Sequence, residues 1–294
     1  MHSSDRQLCW LVLCMYVAVA VNSTRTEFSR IEDREGIAMI FDSHAHYDDK
    51  QFDVDRDELL SSMGENNIRR IVNVGADIKS SERSVALAEQ YDFVYAAIGV
   101  HPSEIGSLEE ADMQWLKETA AHEKVVAIGE IGLDYYWDKE LTVQEQQRYW
   151  FRRQLELARE TSLPVIIHSR EAAADTMEIM KNCAQGIPGV IHCFSYSKEQ
   201  AAEYVKMGYY IGVGGVITFQ NARKLKEAVA ELPIERIVVE TDCPYLAPVP
   251  NRGKRNFSQN LPYVIHAIAE LKGMTPEDVE EITFRNAMEL YGMR

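Results

Sequence analysis

Eight short runs of apolar residues recur along this chain, and longer stretches with helical spacing separate them. Continuous Val and Ile runs are typical of strands buried on both faces, which occur in parallel sheets covered by helices. Because eight such strands with right-handed crossovers suit closure into a ring, the pattern predicts an α/β fold, a single (β/α)8 TIM-type barrel. A doubly wound open sheet is the alternative. The predicted strands cover residues 39–41, 71–74, 93–98, 125–129, 164–167, 189–191, 209–213 and 237–239.

The segments between these runs have the periodicity of amphipathic helices. The clearest covers residues 142–160, where Phe151, Leu155 and Ala158 share one face. Strands and helices are therefore expected to alternate from Met39 onward. Further helices are predicted at residues 53–65, 80–90, 110–122, 171–183, 198–207, 222–231 and 262–271.

Five of the eight runs lead to a side chain that can bind a metal ion. The first leads into His44-Ala45-His46, and side chains two apart in a strand point to the same side, so both imidazoles can reach one ion. Taken alone, such a pair could equally lie on the surface. Barrel enzymes place their chemistry at the carboxyl ends of the strands. The repeat spacing assigns the other candidates to strands four, five, six and eight: Glu130, His168, His192 and Asp242.

The types of these side chains indicate which ions they suit. Four histidines and two carboxylates favour Zn, Mn or Fe and are too rich in nitrogen for a dedicated Ca site. Six protein ligands exceed the three that one catalytic zinc usually takes, so two ions are predicted. Glu130 comes from the middle of the set and is the expected bridge between them. The first ion would also contact His44, His46 and Asp242, and the second His168 and His192.

A centre of this kind is suited to hydrolysis. Two ions can share a water, lower its pKa and stabilise both the attacking and the leaving oxygen of a displacement. Asp242 would then accept the proton of the water as general base, so Asp242 and Glu130 are the predicted catalytic residues. For each candidate, the alternative is a buried polar residue that is paired within the barrel top.

Composition limits the kinds of partner. The formal net charge of −15 excludes binding of nucleic acid through a general basic surface, so such a substrate would have to be held locally. The five cysteines have no metal-finger spacing and are interpreted as the reduced thiols of a cytoplasmic protein. Cys193 and Cys243 follow two of the candidate ligands, and we interpret both as small fillers on the far side of their strands.

The first 38 residues differ from the rest. Residues 8–21 are apolar but short for a membrane span, and they could form the core of a secretory signal with a cleavage site at residues 18–20, which would mean export. Asp5 weakens the basic segment that a signal requires. Residues 22–36 have the composition of a disordered linker. The domain prediction is therefore an extension at 1–38, non-native or mis-assigned, and a hydrolase barrel at 39–294.

Six segments resemble the signature blocks of the TatD family of metal-dependent deoxyribonucleases, in the amidohydrolase superfamily. The resemblance extends from Met39 to the C-terminus in the same order. It implies a TIM-type barrel with the two-ion ligand assignment given above, Mg as the ion, and cleavage of DNA, often from the 3′ end. The segments are residues 41–46, 99–102, 129–135, 168–170, 192–195 and 240–245, and the block at 244–248 followed by 252–254 is more specific still.

Several side chains near the predicted centre could contact a substrate. Barrel enzymes often bind phosphate near strands seven and eight, which favours Arg252, Lys254 and, less strongly, Arg255. Arg170 follows His168 on strand five. His101 ends strand three and could contact substrate or play a structural role beside Pro102. Aromatic residues at 135–137 could stack exposed bases or pack their own loop.

Three functional interpretations follow. The first is a deoxyribonuclease that acts on single-stranded ends of DNA, with no stable membrane partner. The second is an amide or ester hydrolase of the same superfamily, for example a D-aminoacyl-tRNA deacylase. No lysine stands at a bridging position, which disfavours the carbamylated-lysine form of such centres and favours the Glu130-bridged form. The third is a non-catalytic binding protein, which has no physical need for six converging ligands.

Overall fold

A computed structural model describes residues 39–293 of the chain. Its sheet has eight parallel strands in the order β1 to β8, each paired with the next along the chain. A parallel bridge from Ala45 to Cys243 joins the two ends of the sheet, and the His46 N–H donates to the Cys243 carbonyl at 2.9 Å. The barrel prediction is thus confirmed, and the open sheet is excluded. The strands are Ile40–Ala45, Ile68–Val74, Val94–Ile98, Val125–Asp134, Val165–Arg170, Gly189–Ile191, Tyr210–Val213 and Ile237–Val239.

Helices follow the strands, and most lie within two or three residues of their predicted bounds. The predicted helix at 53–65 is instead a short α-helix followed by a 3₁₀ turn at Met63–Asn66. The helix predicted from residue 80 begins at Ile78, because the Asp77 side chain caps it by accepting the Ser80 N–H. The helices α1 to α9 are Arg56–Ser61, Ile78–Gln90, Glu110–Thr119, Leu141–Thr161, Ala173–Cys183, Lys198–Lys206, Arg223–Glu231, Leu261–Lys272 and Pro276–Leu290.

Helix α9 was not predicted, and it closes the end of the barrel at which the strands begin. Asn286 of α9 donates to the carbonyls of Ile234 and Ile237 at 2.8 and 2.7 Å, just before and at the start of β8. Leu290 and Tyr291 pack against a buried cluster that draws on all eight strands. Helix α9 thus lies at the end of the barrel opposite the one where the strands finish. The strand residues of that cluster are Phe41, Val72, Val74, Ala97, Val126, Ala127, Ile166, Val190, Tyr210 and Val238.

The predictions for the extension fall outside the described residues. The signal-like segment at 8–21, the linker at 22–36 and the domain boundary after residue 38 therefore stay predictions. Within 39–293, no helix is both long enough and apolar enough to cross a membrane.

Candidate metal centre

All six predicted ligands lie together at the carboxyl end of the barrel. Two of them sit at the end of β1, and β4 and β5 each contribute one from within the strand. Another directly follows β6, and the last lies three residues after β8. Strand order thus brings residues up to 198 positions apart, from His44 to Asp242, into one cluster. Their role as ligands remains a prediction, which the geometry below supports.

One group of donor atoms combines the candidates of β1 and Asp242 with one oxygen of Glu130. The Nε2 atoms of His44 and His46 are 3.0 Å apart. Asp242 Oδ1 lies 3.4 Å from Nε2 of His46, and Glu130 Oε2 lies 3.5 Å from Nε2 of His44. His44 is fully buried and the carboxyl group of Glu130 nearly so. These four side chains form the first donor group.

The other oxygen of Glu130 faces a second group of imidazoles. Its Oε1 lies 2.7 Å from Nδ1 of His168 and 3.7 Å from Nε2 of His192. His101 approaches the same oxygen to 3.9 Å through Nε2. Glu130 therefore stands between two sets of histidines with one oxygen turned to each, the arrangement expected of a bridging carboxylate.

On the side turned away from the cluster, His46 and His168 each have a hydrogen-bond partner and His192 has a carboxylate close by. Nδ1 of His46 lies 2.8 Å from the Val74 carbonyl, to which it must donate. Nε2 of His168 lies 3.1 Å from Asp134 Oδ2, and Nδ1 of His192 lies 3.1 Å from Glu240 Oε1. Such partners fix the tautomer and the orientation of a metal-binding imidazole. The opposite nitrogen of each ring is turned toward the carboxylates of the cluster, where a cation would bind.

Sequence reasoning missed Asp134 and Glu240 as functional residues. Both belong to segments that resemble family blocks, and each stands an even number of residues from a predicted ligand, four after Glu130 and two before Asp242. Even spacing along a strand puts side chains on the same side, which applies to Asp134 in β4 but not to Glu240, which lies after the end of β8. For Asp134 that spacing was the available signal, but it does not say which histidine the carboxylate contacts.

The donor set fits divalent cations. Imidazole nitrogens and carboxylate oxygens are the ligands that Zn, Mn and Fe take in proteins. Burial lowers the pKa of His46, but the hydrogen bond to Asp242 and the charges of Asp242 and Glu130 together raise that pKa to about 9. Burial raises the pKa of Glu130, yet the charge of His192 and the His168 hydrogen bond hold it well below its usual value. The carboxylates are thus ionised, and a cation would replace protons held by the histidines.

The predicted substrate-contact cations lie at the end of β5 and on the loop after β8. Arg170 ends β5, and its guanidinium lies 4.0 Å from the ring centroid of Tyr136. Arg252 lies on the loop after β8, 4.4 Å from the ring centroid of Phe219. Lys254 is exposed on the same loop. Their role as substrate contacts stays a prediction.

The structure decides between the alternatives left open for two residues and corrects the interpretation of a third. Arg255 is not a free member of the basic group, because its guanidinium pairs with Asp55. The hydroxyl of Tyr135 donates to Asp175 at 2.7 Å, so this ring packs the loop, whereas the next two aromatic residues are exposed.

Cys193 does not lie on the far side of its strand. Its sulfur lies within 4.8 Å of ligand atoms of His192 and Asp242, because the backbone turns there through a φ of +44°. Cys243 is fully buried, as expected of a filler.

Replacement of Asp134 tests what orients His168 in the second group of imidazoles, which faces Glu130 Oε1. We expect Asp134→Asn to weaken binding of a divalent ion by about 10- to 100-fold, because His168 loses the carboxylate that fixes its tautomer. Isothermal titration with Zn²⁺ or Mn²⁺ measures the change. Asp138→Asn is the matched control, since that carboxylate lies on the same loop but accepts from Gln147 Nε2 at 2.8 Å. Equal affinities in the two variants would contradict the assigned role of Asp134.

Comparisons with known proteins agree with this geometry. A family model described as TatD related DNase matches residues 41–292. The chain is 47% identical over 254 residues to YabD of Bacillus subtilis, named an uncharacterized metal-dependent hydrolase, and the alignment covers 86% of this chain and 99% of YabD. A Cronobacter sakazakii protein named 3′-5′ ssDNA/RNA exonuclease TatD is 31% identical, with 86% and 97% covered. The crystal structure of YjjV, a TatD homologue from Escherichia coli K12, has a TM-score of 0.82 at 30% identity, with 88% and 100% covered.

Proposed function

The chain belongs to the family of TatD-related DNases and is a metal-dependent hydrolase, and we propose that it hydrolyses phosphodiester bonds of DNA at single-stranded 3′ ends. The observation that carries the proposal is Glu130, whose two oxygens each face a separate group of histidines. A pair of ions at such a bridge suits displacement at phosphorus. The 3′ polarity and the single-stranded substrate are taken from the name of the Cronobacter relative, 31% identical to this chain.

Divalent ions bound here, Mg by resemblance and Zn or Mn by ligand type, would lower the pKa of a bound water and polarise the scissile phosphate. Asp242 would accept the proton of the attacking water. Burial raises the pKa of Asp242, but the His46 hydrogen bond and the charges of His192 and His44 lower it below its usual value. The carboxylate is therefore ionised at neutral pH, the state that a general base needs.

His101 is suited to donate a hydrogen bond to the substrate. Its Nδ1 accepts the N–H of Ser103 at 3.2 Å, so in the neutral ring the proton is on Nε2. Nε2 faces the centre, 3.9 Å from Glu130 Oε1. Burial and the charge of His168 lower the pKa of His101 to about 3, which keeps the ring neutral. The N–H is thus available to a phosphate oxygen, and His101 serves as a substrate contact.

Three cations around the centre are available to phosphate groups. Among residues 39–293, the side chains of Arg170, Arg252 and Lys254 form no ion pair with a carboxylate within 4.0 Å. In a chain with a net charge of −15, unpaired cations at one edge of a site are a local attraction for an anion. These three cations would hold a nucleic acid locally, as a chain without a general basic surface requires.

The contact made by Arg252 can be tested through salt dependence. We expect Arg252→Ala to weaken binding of single-stranded DNA about tenfold with little change in turnover, because the side chain contacts a phosphate and not the reacting atoms. The slope of log K against log salt should fall by about 0.7. Arg223→Ala is the control, because that arginine is exposed on α7 and pairs with Glu227. An unchanged salt slope in Arg252→Ala would remove this contact from the proposal.

The proposed activity is tested with the full chain and single-stranded DNA labelled at either end. Each of Mg²⁺, Mn²⁺ and Zn²⁺ is added in turn to protein stripped of metal. Stepwise shortening of the 5′-labelled strand is the expected result, with release of a mononucleotide from the 3′-labelled strand. If no ion supports cleavage of DNA while a D-aminoacyl ester is hydrolysed, the nuclease proposal is wrong and the ester-hydrolase alternative is favoured.

A further inference from the structure

Two large aromatic side chains remain exposed beside the metal centre. Trp137 is 67% exposed and Tyr136 is 44% exposed, on the loop that follows β4. Trp115 and Trp150, the other tryptophans of the described residues, are partly buried. An indole exposed to water does not gain the free energy that burial of so large a ring would provide. Exposed apolar surface of this kind often marks a binding site.

The backbone beneath these two rings is fixed by the carboxylate that orients a predicted ligand. Oδ1 of Asp134 accepts the N–H of Tyr136 at 2.9 Å and that of Trp137 at 3.2 Å. Oδ2 of the same side chain lies 3.1 Å from Nε2 of His168. The position of the rings is therefore tied to the metal centre through one side chain.

A cation lies against the same rings. The guanidinium of Arg170 is 4.0 Å from the ring centroid of Tyr136 and 5.5 Å from that of Trp137. Arg170 stands two residues after His168 in β5, so both side chains leave the strand on the same side. The two rings meet edge to face, 4.7 Å between centroids. The guanidinium thus covers one face of Tyr136 and lies beside the more exposed Trp137, on the strand that carries His168.

We propose that Tyr136, Trp137 and Arg170, which we call the aromatic ledge, hold an unpaired base of the nucleotide next to the scissile phosphate. The base stacks on Trp137, and Arg170 contacts the adjoining phosphate. This inference rests on the proposed nuclease function and adds to it the reason for a single-stranded substrate. A base in a duplex is already stacked and paired, so it would have to leave the helix to reach the ledge. Every base has a π face, so the ledge tolerates any sequence.

The ledge is tested by removing the base and the indole separately and together. Single-stranded DNA carries an abasic nucleotide at the first, second or third position from the 3′ end, and kcat/KM is measured for the full chain and for Trp137→Ala. At one position, loss of the base should lower kcat/KM of the unmodified protein about tenfold. In Trp137→Ala the intact strand should show a similar loss, and the abasic strand should show almost no further loss. Trp137→Phe, which keeps a stacking ring, should recover most of the activity.

Controls separate this inference from the nuclease proposal. Tyr149→Ala removes an aromatic side chain that is 50% exposed on α4, and it should keep the full dependence on the base. If the unmodified protein cleaves DNA and the abasic effect is the same with and without Trp137, the ledge is wrong and the nuclease proposal stands. If the unmodified protein cleaves no DNA with any ion, both are wrong. Circular dichroism and metal content of Trp137→Ala, matched to the unmodified protein, show that its loss does not come from misfolding.

Discussion

Replacement of Glu130 by Ala is expected to lower metal-dependent hydrolysis on the order of a thousandfold. A metal ion contributes several kcal/mol to stabilisation of a transition state, and about 4 kcal/mol corresponds to that factor. Because the two oxygens of Glu130 face both groups of histidines, the substitution removes a predicted ligand from each. Metal content by mass spectrometry should fall together with activity. Addition of excess ion should not restore the rate.

Two further variants separate loss of the bridge from loss of the fold. Glu130→Gln keeps the shape of the side chain but removes its charge, and it should lose activity nearly as fully as the Ala variant. Glu123→Ala removes an exposed carboxylate just before the start of the same strand, at the other end of the barrel, and should keep full activity. If Glu130→Ala retained its metal content and its rate, the bridging role would be wrong.

The barrel and the candidate ligands were predictable because both depend on local patterns. Buried parallel strands appear in a sequence as continuous Val and Ile runs. The carboxyl ends of such strands meet at one edge of the barrel, so a residue that ends a run can be located at that edge before any contact is known. His44, Glu130 and His168 were identified in this way. Resemblance to family blocks added no ligand that the runs had not already indicated.

Helix α9 was missed because its buried face is partly polar. Val279, Ala287 and Leu290 lie on that face with Thr283 and Asn286. Two of these five residues break the apolar pattern that indicates a helix in a sequence. Asn286 can be buried because its amide donates to two strand carbonyls, and those partners lie about 50 positions earlier in the chain. The hydrogen bonds that allow this polar side chain to be buried are visible only in the three-dimensional structure.

Arg255 shows the same limit for charged residues. The sequence places it beside Arg252 and Lys254 as a weaker candidate for the same basic group. The fold brings Asp55, 200 positions earlier, against its guanidinium and so removes it from the group. Short-range spacing predicts which residues share an edge of the barrel, but not which of their charges are already paired.

Asp242→Asn is expected to lower kcat by about 100- to 10,000-fold, the contribution of general base catalysis. The amide keeps an oxygen that can face His44 and His46 but cannot accept a proton from water. The backbone should tolerate the change, because Asp242 has a φ of +55° and Asn is among the residues that adopt this region most readily. The rate of single turnover at saturating DNA and metal isolates the chemical step from binding.

Comparison with Glu240→Gln shows whether the loss of activity in Asp242→Asn comes from the missing proton transfer. Oε1 of Glu240 lies 3.1 Å from Nδ1 of His192, the ring nitrogen opposite the one that faces Glu130, and accepts the Cys193 N–H at 2.6 Å. Its replacement should therefore weaken metal binding about 10- to 100-fold, and a higher metal concentration should restore the rate. The rate of Asp242→Asn should stay low at every metal concentration. If excess metal restored Asp242→Asn as well, Asp242 would be a ligand only, and another group would have to accept the proton.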